Sequence, residues 1–288
     1  MKRIDLHAHT TASDGSLTPT ELVQHAAALG LSAVAVTDHD THAGIAEAMA
    51  AGADCGIEVV PGIELSVHYD SPSKGIQGIH ILGYFIRPDA PALDRLLEWV
   101  VAERTRRNEW IASDLRAAGW PVYVEDLRAR NPGAIIGRQH FAEKLVELGA
   151  ARDRRDAFDR LIGEGQPFFH DRTYIPMDMA FATVRDAGGV AVFAHPFQYK
   201  LPEEELLVLT RMLTEAGIVG IECLYSGYSA EQTEYLQALA SREGLCVTGG
   251  SDFHGAGKPH IALGSGTGDL MVPYALLETL RQRAGRQG

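Results

Sequence analysis

Short runs of consecutive apolar residues alternate along this chain with longer segments whose apolar positions recur at helical spacing. Ile4 to His7, Ser32 to Thr37, Ile57 to Leu65, Gly78 to Tyr84, Gly189 to His195, Ile218 to Tyr225 and Leu245 to His254 read as seven strands. Several are continuously apolar, as expected of parallel strands buried on both faces. Between them lie helical patterns. Thr18-Pro-Thr-Glu21 opens the first with a threonine cap, a proline in the first turn and a glutamate three residues on, and Gly30 closes it. Others cover about Ala43 to Ala51, Met179 to Ala187, Pro202 to Ala216, Glu231 to Glu243 and Pro273 to Arg283. Alternation of this kind predicts an α/β fold with a closed or nearly closed parallel barrel, whose active site lies at the C-terminal ends of the strands.

The middle of the chain breaks the pattern. From Leu93 through Leu96, Val100, Ile111 and Leu115 one long helix runs to Gly119, followed by the turn Asn131-Pro-Gly133 and helices near Arg138 to Leu148 and Asp153 to Ile162. No buried-strand run occurs here, so residues 91–172 are expected to form a helical insertion in a barrel made of 1–90 and 173–288. Charge supports the division. Asp94 to Arg172 carries 14 basic and 14 acidic residues, whereas the whole chain of 288 has 26 against 38 and a net charge of -12. That acidity, confined to the flanks, argues against a surface that coats nucleic acid in general.

No segment approaches the roughly 20 apolar residues of a membrane span, and no signal-peptide pattern opens the chain. Cys55, Cys223 and Cys246 are scattered without paired spacing and read as free thiols of a reducing, cytoplasmic setting.

The chemistry lies where the apolar runs end. His7 and His9, two apart, point to the same face of a strand end, and Asp14 follows in a glycine-bearing turn. With 12 histidines in the chain, about half an instance of His-x-His is expected by chance, so company must decide it. Company is there: His39, Glu64, His80, His195, and Asp252 with His254. Six imidazoles and three carboxylates suffice for two or three divalent ions with open positions. Mixed nitrogen and oxygen donors suit Mn²⁺, Fe²⁺ or Zn²⁺ better than Mg²⁺ alone, with Glu64 the natural bridging carboxylate. Asp38 and Asp40 flank His39, either orienting it or lying in a solvated loop. His25, His42, His68, His170 and His260 lack the strand-end context and read as surface or loop residues.

Taken together, His7-Ala-His9, Ser13-Asp-Gly15, Thr37-Asp-His-Asp40, Pro61-Gly-Ile-Glu64, His80, Ala194-His-Pro196 and Gly250-Ser-Asp-Phe-His254 resemble the PHP (polymerase and histidinol phosphatase) family. The resemblance spans essentially the whole chain. It implies a distorted seven-stranded barrel, the nine residues as ligands of two or three metal ions, commonly Mn²⁺, and phosphoester hydrolysis by a metal-bridging hydroxide held at Glu64, Asp252 and His195. Ile136-Gly-Arg-Gln-His-Phe-Ala142 is similar to the branch containing nucleoside 3′,5′-bisphosphate phosphatases and a 5′ to 3′ exoribonuclease, with Gln139 where that branch usually has proline.

A substrate follows from that branch: a nucleoside 3′,5′-bisphosphate or a short oligonucleotide, with no membrane, duplex or obligate protein partner. Arg138 and His140, at a predicted helix N-terminus, would hold the second phosphate, with Arg104, Arg107 and, past the sixth strand, Tyr225-Ser226 as further contacts. A histidinol-phosphatase-type phosphomonoesterase and a non-catalytic metal-binding module are the alternatives.

Overall fold

The computed structural model describes residues 2–131, 136–171 and 173–285. Among them, β1 (Arg3–Asp5), β2 (Ala33–Val36), β3 (Glu58–Ser71), β4 (Gly75–Tyr84), β5 (Val190–Phe193), β6 (Ile218–Tyr225), β7 (Cys246–Gly250) and β8 (Val272–Pro273) form one sheet. Its strand order is β7-β6-β5-β4-β3-β2-β1-β8. The two ends meet. Leu6 N–H donates to the Gly249 carbonyl at 3.3 Å and Asp252 N–H to that of His7 at 2.9 Å, which rolls the sheet into a nearly closed barrel.

Two features differ from the expected seven parallel strands. The eighth strand, two residues long, lies antiparallel to β1. More consequentially, β4 runs antiparallel to both β3 and β5. The physical reason is chain length. A parallel crossover needs a dozen or more residues, whereas β3 and β4 are joined only by Pro72-Ser-Lys74, with Gly75 at φ +76°.

The strands explain their own composition. In β2, Ala33 and Ala35 belong to one buried cluster, with Ile4, Leu6, Leu82 and Val192. Val34 and Val36 belong to another, with Leu22, Val23 and Ala48 of the helices α1 (Pro19–Ala28) and α2 (Ile45–Cys55). Small side chains face the crowded barrel interior and larger ones pack beneath helices, so every position is apolar. Helix α1 has the expected capping box: Thr18 Oγ1 accepts from Glu21 N–H, and Glu21 accepts from Thr18 N–H at 2.8 Å.

The chain divides into two compact units, Met1–Leu96 with Ile175–Gly288, and Leu97–Tyr174. Helix α3 (Pro91–Ala117) carries the chain from the first into the second. By itself, the second unit consists of the rest of α3 with α4 (Val124–Arg130), α5 (Arg138–Glu147) and α6 (Arg154–Ala157), around Ile111, Leu115, Phe141, Leu145 and Ile162. The single helix expected from Asp153 to Ile162 is α6 followed by a π turn, closed by Gly163 N–H donating to Phe158 at 2.9 Å. Pro132 and Gly133 of the expected turn lie outside the described residues. In the first unit α7 (Met177–Asp186), α8 (Glu203–Ala216), α9 (Ala230–Arg242) and α10 (Tyr274–Ala284) complete the helices. No helix among the described residues is long and apolar enough to cross a membrane.

Candidate metal centre

All nine strand-end residues converge at one mouth of the barrel, although the elements deliver them in two ways. His7, His9, His39, His195, Asp252 and His254 lie just past strand ends, and Asp14 in the loop after β1. Glu64 and His80, by contrast, sit inside β3 and β4, which run on past the mouth as a hairpin. Glu64 pairs with Leu82 and Ser66 with His80, placing Glu64 and His80 diagonally on one face.

Glu64 is the hub. Its Oε2 lies 3.2 Å from His7 Nε2, 3.1 Å from His9 Nε2 and 3.1 Å from His39 Nδ1. Its Oε1 lies 2.8 Å from His80 Nδ1 and 2.9 Å from His195 Nε2. One carboxylate thus presents a separate oxygen to each of two histidine groups. Three sets of donors lie within 4.8 Å of one another: His9, Asp14, His39 and His254; His7, His9, Glu64 and Asp252; and His39, Glu64 and His80. His195 joins through Glu64 and through His80, whose Nδ1 is 3.3 Å from His195 Nε2.

The residues fit divalent cations on a direct observation. His7 Nε2, His9 Nε2, His39 Nδ1 and Glu64 Oε2 are buried and, among the described residues, hold no well-formed hydrogen bond. Buried polar atoms are ordinarily satisfied, and four converging ones are what a cation would coordinate. Electrostatics agree. Burial disfavours charge on His7, yet Glu222, Glu64 and Asp252 outweigh it and hold its pKa well above the ordinary value. For His9 burial is again opposed by Asp252 and Glu64, which push it up to about 9. Burial raises Glu64 and Asp252, but the imidazoles around them win and hold both well below the usual carboxylate range. Asp14, partly exposed, is likewise held low, since His254, His39 and His9 outweigh its desolvation. Divalent ions are the charges that satisfy such a carboxylate set without protonating its imidazoles.

Backbone strain collects here. Asp40, His195 and Asp252 are non-glycine residues with φ of +53°, +29° and +58°, a conformation that persists only where surrounding bonds over-determine it. At Gly250 the approach is so close that a Cβ would stand 2.3 Å from that of His7, so only glycine lets the end of β7 meet β1.

Several supporting residues escaped the sequence reading. Glu222, fully buried in β6, accepts from His7 Nδ1–H at 3.0 Å and from His195 N–H at 2.9 Å. Its signal was a carboxylate inside an apolar strand, which is costly to bury without partners. Asp5, equally buried, accepts from the N–H groups of His7, Ser251 and Gly264 and from Ser251 Oγ. Lys258 Nζ and Tyr225 OH both lie 2.6 Å from Asp252 Oδ2, leaving Oδ1 toward His7 and His9. His39, Glu64, His80, His195, Gln198, Tyr225, Asp252 and Lys258 line a cavity of about 160 Å³.

Other expectations resolve individually. Asp38 is buried and accepts from Thr10 N–H, Thr10 Oγ1 and Ser13 Oγ, so it braces the loop that carries Asp14. Asp40 is also buried and accepts from Ser66 N–H beside Glu64, so neither acid lies in a solvated loop. Ser226 is buried and donates to the Ser251 carbonyl at 2.6 Å, tying the ends of β6 and β7 together; donating to a substrate phosphate would have to displace that bond. Cys223 and Cys246 are buried free thiols, and Cys55 is exposed. His42 is half-buried, 3.5 Å from Asp94. Within the helical unit, Arg138 opens α5 with its guanidinium 5.1 Å from the Phe169 ring centre, His140 Nδ1 accepts from Gly137 N–H at 3.0 Å, and His170 meets Asp114 at 2.6 Å. Arg107 is buried there, donating to Asn108 at 3.2 Å.

A barrel whose mouth gathers six imidazoles with the carboxylates of Asp14, Glu64 and Asp252 defines a class of metal-binding barrel proteins. The chain belongs to the PHP family within it: the sequence pattern described as PHP domain matches residues 5–165. It is 36% identical to a 5′-3′ exoribonuclease of Haemophilus influenzae, over 88% of this chain and 90% of the relative. It is also 36% identical to a 3′,5′-nucleoside bisphosphate phosphatase of Chromobacterium violaceum, over 90% and 89%. Among solved structures, one described as a metal-dependent phosphoesterase of Bifidobacterium adolescentis matches with a TM-score of 0.75 at 31% identity, over 98% and 96% of the two chains.

Proposed function

We propose that this protein is a divalent-metal-dependent phosphoric ester hydrolase that removes the 3′-phosphate of nucleoside 3′,5′-bisphosphates, giving the 5′-monophosphate and phosphate, and that it trims short 5′-phosphorylated oligonucleotides from the 5′ end. The observation that carries the reading is Glu64, whose two oxygens face two separate imidazole groups and so can bridge two ions. The similarity to a bisphosphate phosphatase and to an exoribonuclease along nearly the whole chain supports the substrate class. Two or three ions, with Mn²⁺ the leading one, and a cytoplasmic setting belong to the same proposal.

When bound, such ions supply Lewis acidity to phosphoryl oxygens and lower the pKa of water. The chain's own groups do the rest. Glu222 holds the imidazole of His7 in place, and Lys258 adds a fixed positive charge beside the cavity, where charge develops on the phosphoryl oxygens. Water adds to phosphorus, the bond from phosphorus to the ribose 3′-oxygen breaks, and that oxygen leaves with a proton. Arg138 and His140, with Arg104 and Arg107, are the sequence-based candidates for the non-reacting phosphate. Binding energy from that remote phosphate would then raise the rate of the chemical step.

The test is phosphate release by Mn²⁺-loaded protein from adenosine 3′,5′-bisphosphate, adenosine 3′-monophosphate and histidinol phosphate. Release fastest from the bisphosphate is expected. No release, or equal rates on bisphosphate and 3′-monophosphate, overturns the proposal.

A further inference from the structure

Tyr199 sits behind the centre, in the short 3₁₀ turn Pro196–Tyr199 that follows His195. It is 9% exposed, and its hydroxyl has three neighbours. His80 N–H donates to it at 2.7 Å. The Ala194 carbonyl lies 3.2 Å away as an acceptor, and His195 Nδ1 also lies at 3.2 Å. A phenol has one proton to give and two lone pairs to receive. The arrangement is fully satisfied in one way: the hydroxyl donates to Ala194, and its oxygen accepts from His80 N–H and from a protonated His195 Nδ1. A neutral imidazole with its proton on Nδ1 has its lone pair on Nε2, the atom that stands 2.9 Å from Glu64 Oε1 and faces the cavity.

We infer that Tyr199 is a positioning residue that selects the metal-binding tautomer of His195 and fixes the backbone of β4 at His80 in the same act. The inference rests on the divalent-metal reading of the centre and not on the choice of substrate. It pairs with a different device at His7, whose Nδ1 is held by the Glu222 carboxylate. Two ligands, one at each oxygen of Glu64, are thus oriented by chemically distinct partners, one anionic and one neutral. Tyr199 keeps its proton, since burial pushes its pKa well above the ordinary value. His195 itself needs the support, because its φ of +29° is one that no regular element enforces.

The test compares Tyr199→Phe with Tyr84→Phe. Tyr84 is a fully buried barrel tyrosine whose hydroxyl donates to the Leu6 carbonyl at 2.7 Å and bonds no ligand side chain. Mn²⁺ binding is measured by electron paramagnetic resonance titration of the free ion, and folding by circular dichroism and thermal melting of the metal-free proteins. Loss of an orienting partner of a metal-bound histidine costs about 10- to 100-fold in affinity. The expected result is that loss for Tyr199→Phe, with Tyr84→Phe binding as the parent does. Equal affinity for Tyr199→Phe and parent, or equal loss in both variants, overturns the inference. Should Tyr199→Phe fail to fold, nitrogen chemical shifts of His195 in the Zn²⁺-loaded parent decide it: a proton on Nε2 is the overturning result. Neither measurement uses a substrate, so failure here is separate from failure of the proposed activity.

Discussion

Glu222 and His7 stand 215 positions apart in the chain and 3.0 Å apart in the fold, carboxylate to imidazole Nδ1. The carboxylate's other oxygen accepts from His195 N–H at 2.9 Å, so one buried acid braces ligands at the ends of two strands. Because His7 donates through Nδ1, its Nε2 is free of a proton when neutral and faces Glu64 and Asp252.

Replacing Glu222 with glutamine tests that brace. The amide has one accepting oxygen, so one of the two donors must meet an NH₂ group instead. Mn²⁺ affinity is expected to fall about 10- to 100-fold with the fold retained, as for other partners that orient metal-bound histidines. Titration calorimetry with Mn²⁺ checks this, and unchanged affinity would falsify the assignment.

Metal affinity should also climb with pH. In the metal-free protein the pKa of His9 is pushed from its ordinary 6.5 up to about 9, Asp252 and Glu64 overcoming the opposing effect of burial. A raised folded-state pKa means that the protonated ring stabilises the metal-free fold fully below pH 6.5, and that this contribution is lost as pH rises through about 9. A cation needs the unprotonated lone pair, so binding must displace that proton across the same window. Apparent Mn²⁺ affinity is therefore expected to increase from pH 6.5 to 9, and the thermal stabilisation by Mn²⁺ to grow with it. Melting curves with and without Mn²⁺ at stepped pH would read both, and a flat response contradicts the account.

Asp5 carries stability. Its carboxylate receives the backbone N–H groups of His7, Ser251 and Gly264 and the Ser251 hydroxyl, so it ties β1 to the end of β7 and to the segment before β8. An Asp5→Ala variant leaves buried donors unsatisfied at about 1–3 kcal/mol each, so a loss of at least about 3 kcal/mol is expected. For a chain of this size that corresponds to a drop in Tm of roughly 6–12 °C. Differential scanning calorimetry measures it; a change under about 1 kcal/mol would show that water replaces the carboxylate.

Arg138→Ala addresses the proposed second-phosphate contact. Its guanidinium is a planar fork matched to phosphate, and removing it should lower kcat/KM on the bisphosphate about 100-fold while leaving a nucleoside 3′-monophosphate nearly unaffected. Equal losses on both substrates would assign Arg138 to the integrity of the helical unit instead.

The cluster of candidate ligands was legible because chemistry interrupts an apolar background. Six histidines and three acids at the ends of hydrophobic runs stand out one by one, and a barrel needs only strand ends to bring them together. The β3–β4 hairpin was legible in principle and passed over: Pro72-Ser-Lys-Gly75 is turn chemistry, and the twelve residues between Leu65 and Gly78 are the bare minimum for a parallel crossover. Glu222, Asp5 and Tyr199 were not legible as site residues. Glu222 and Asp5 are single acids in short strand segments and Tyr199 lies between Gln198 and Lys200, and such residues are as compatible with an edge or a loop as with a bonded position in the interior.

What the sequence by itself determined is the alternation of strands and helices, the neutral helical block and the list of nine candidate ligands that the barrel mouth gathers, because these depend on local periodicity and residue chemistry. Only the tertiary structure decided that Glu64 shares its two oxygens between two groups of imidazoles, and which ring nitrogen each buried partner engages. Those outcomes depend on atoms brought within about 3 Å of each other from distant positions, as Glu222 is from His7 at 215 residues, and no local pattern encodes such a distance.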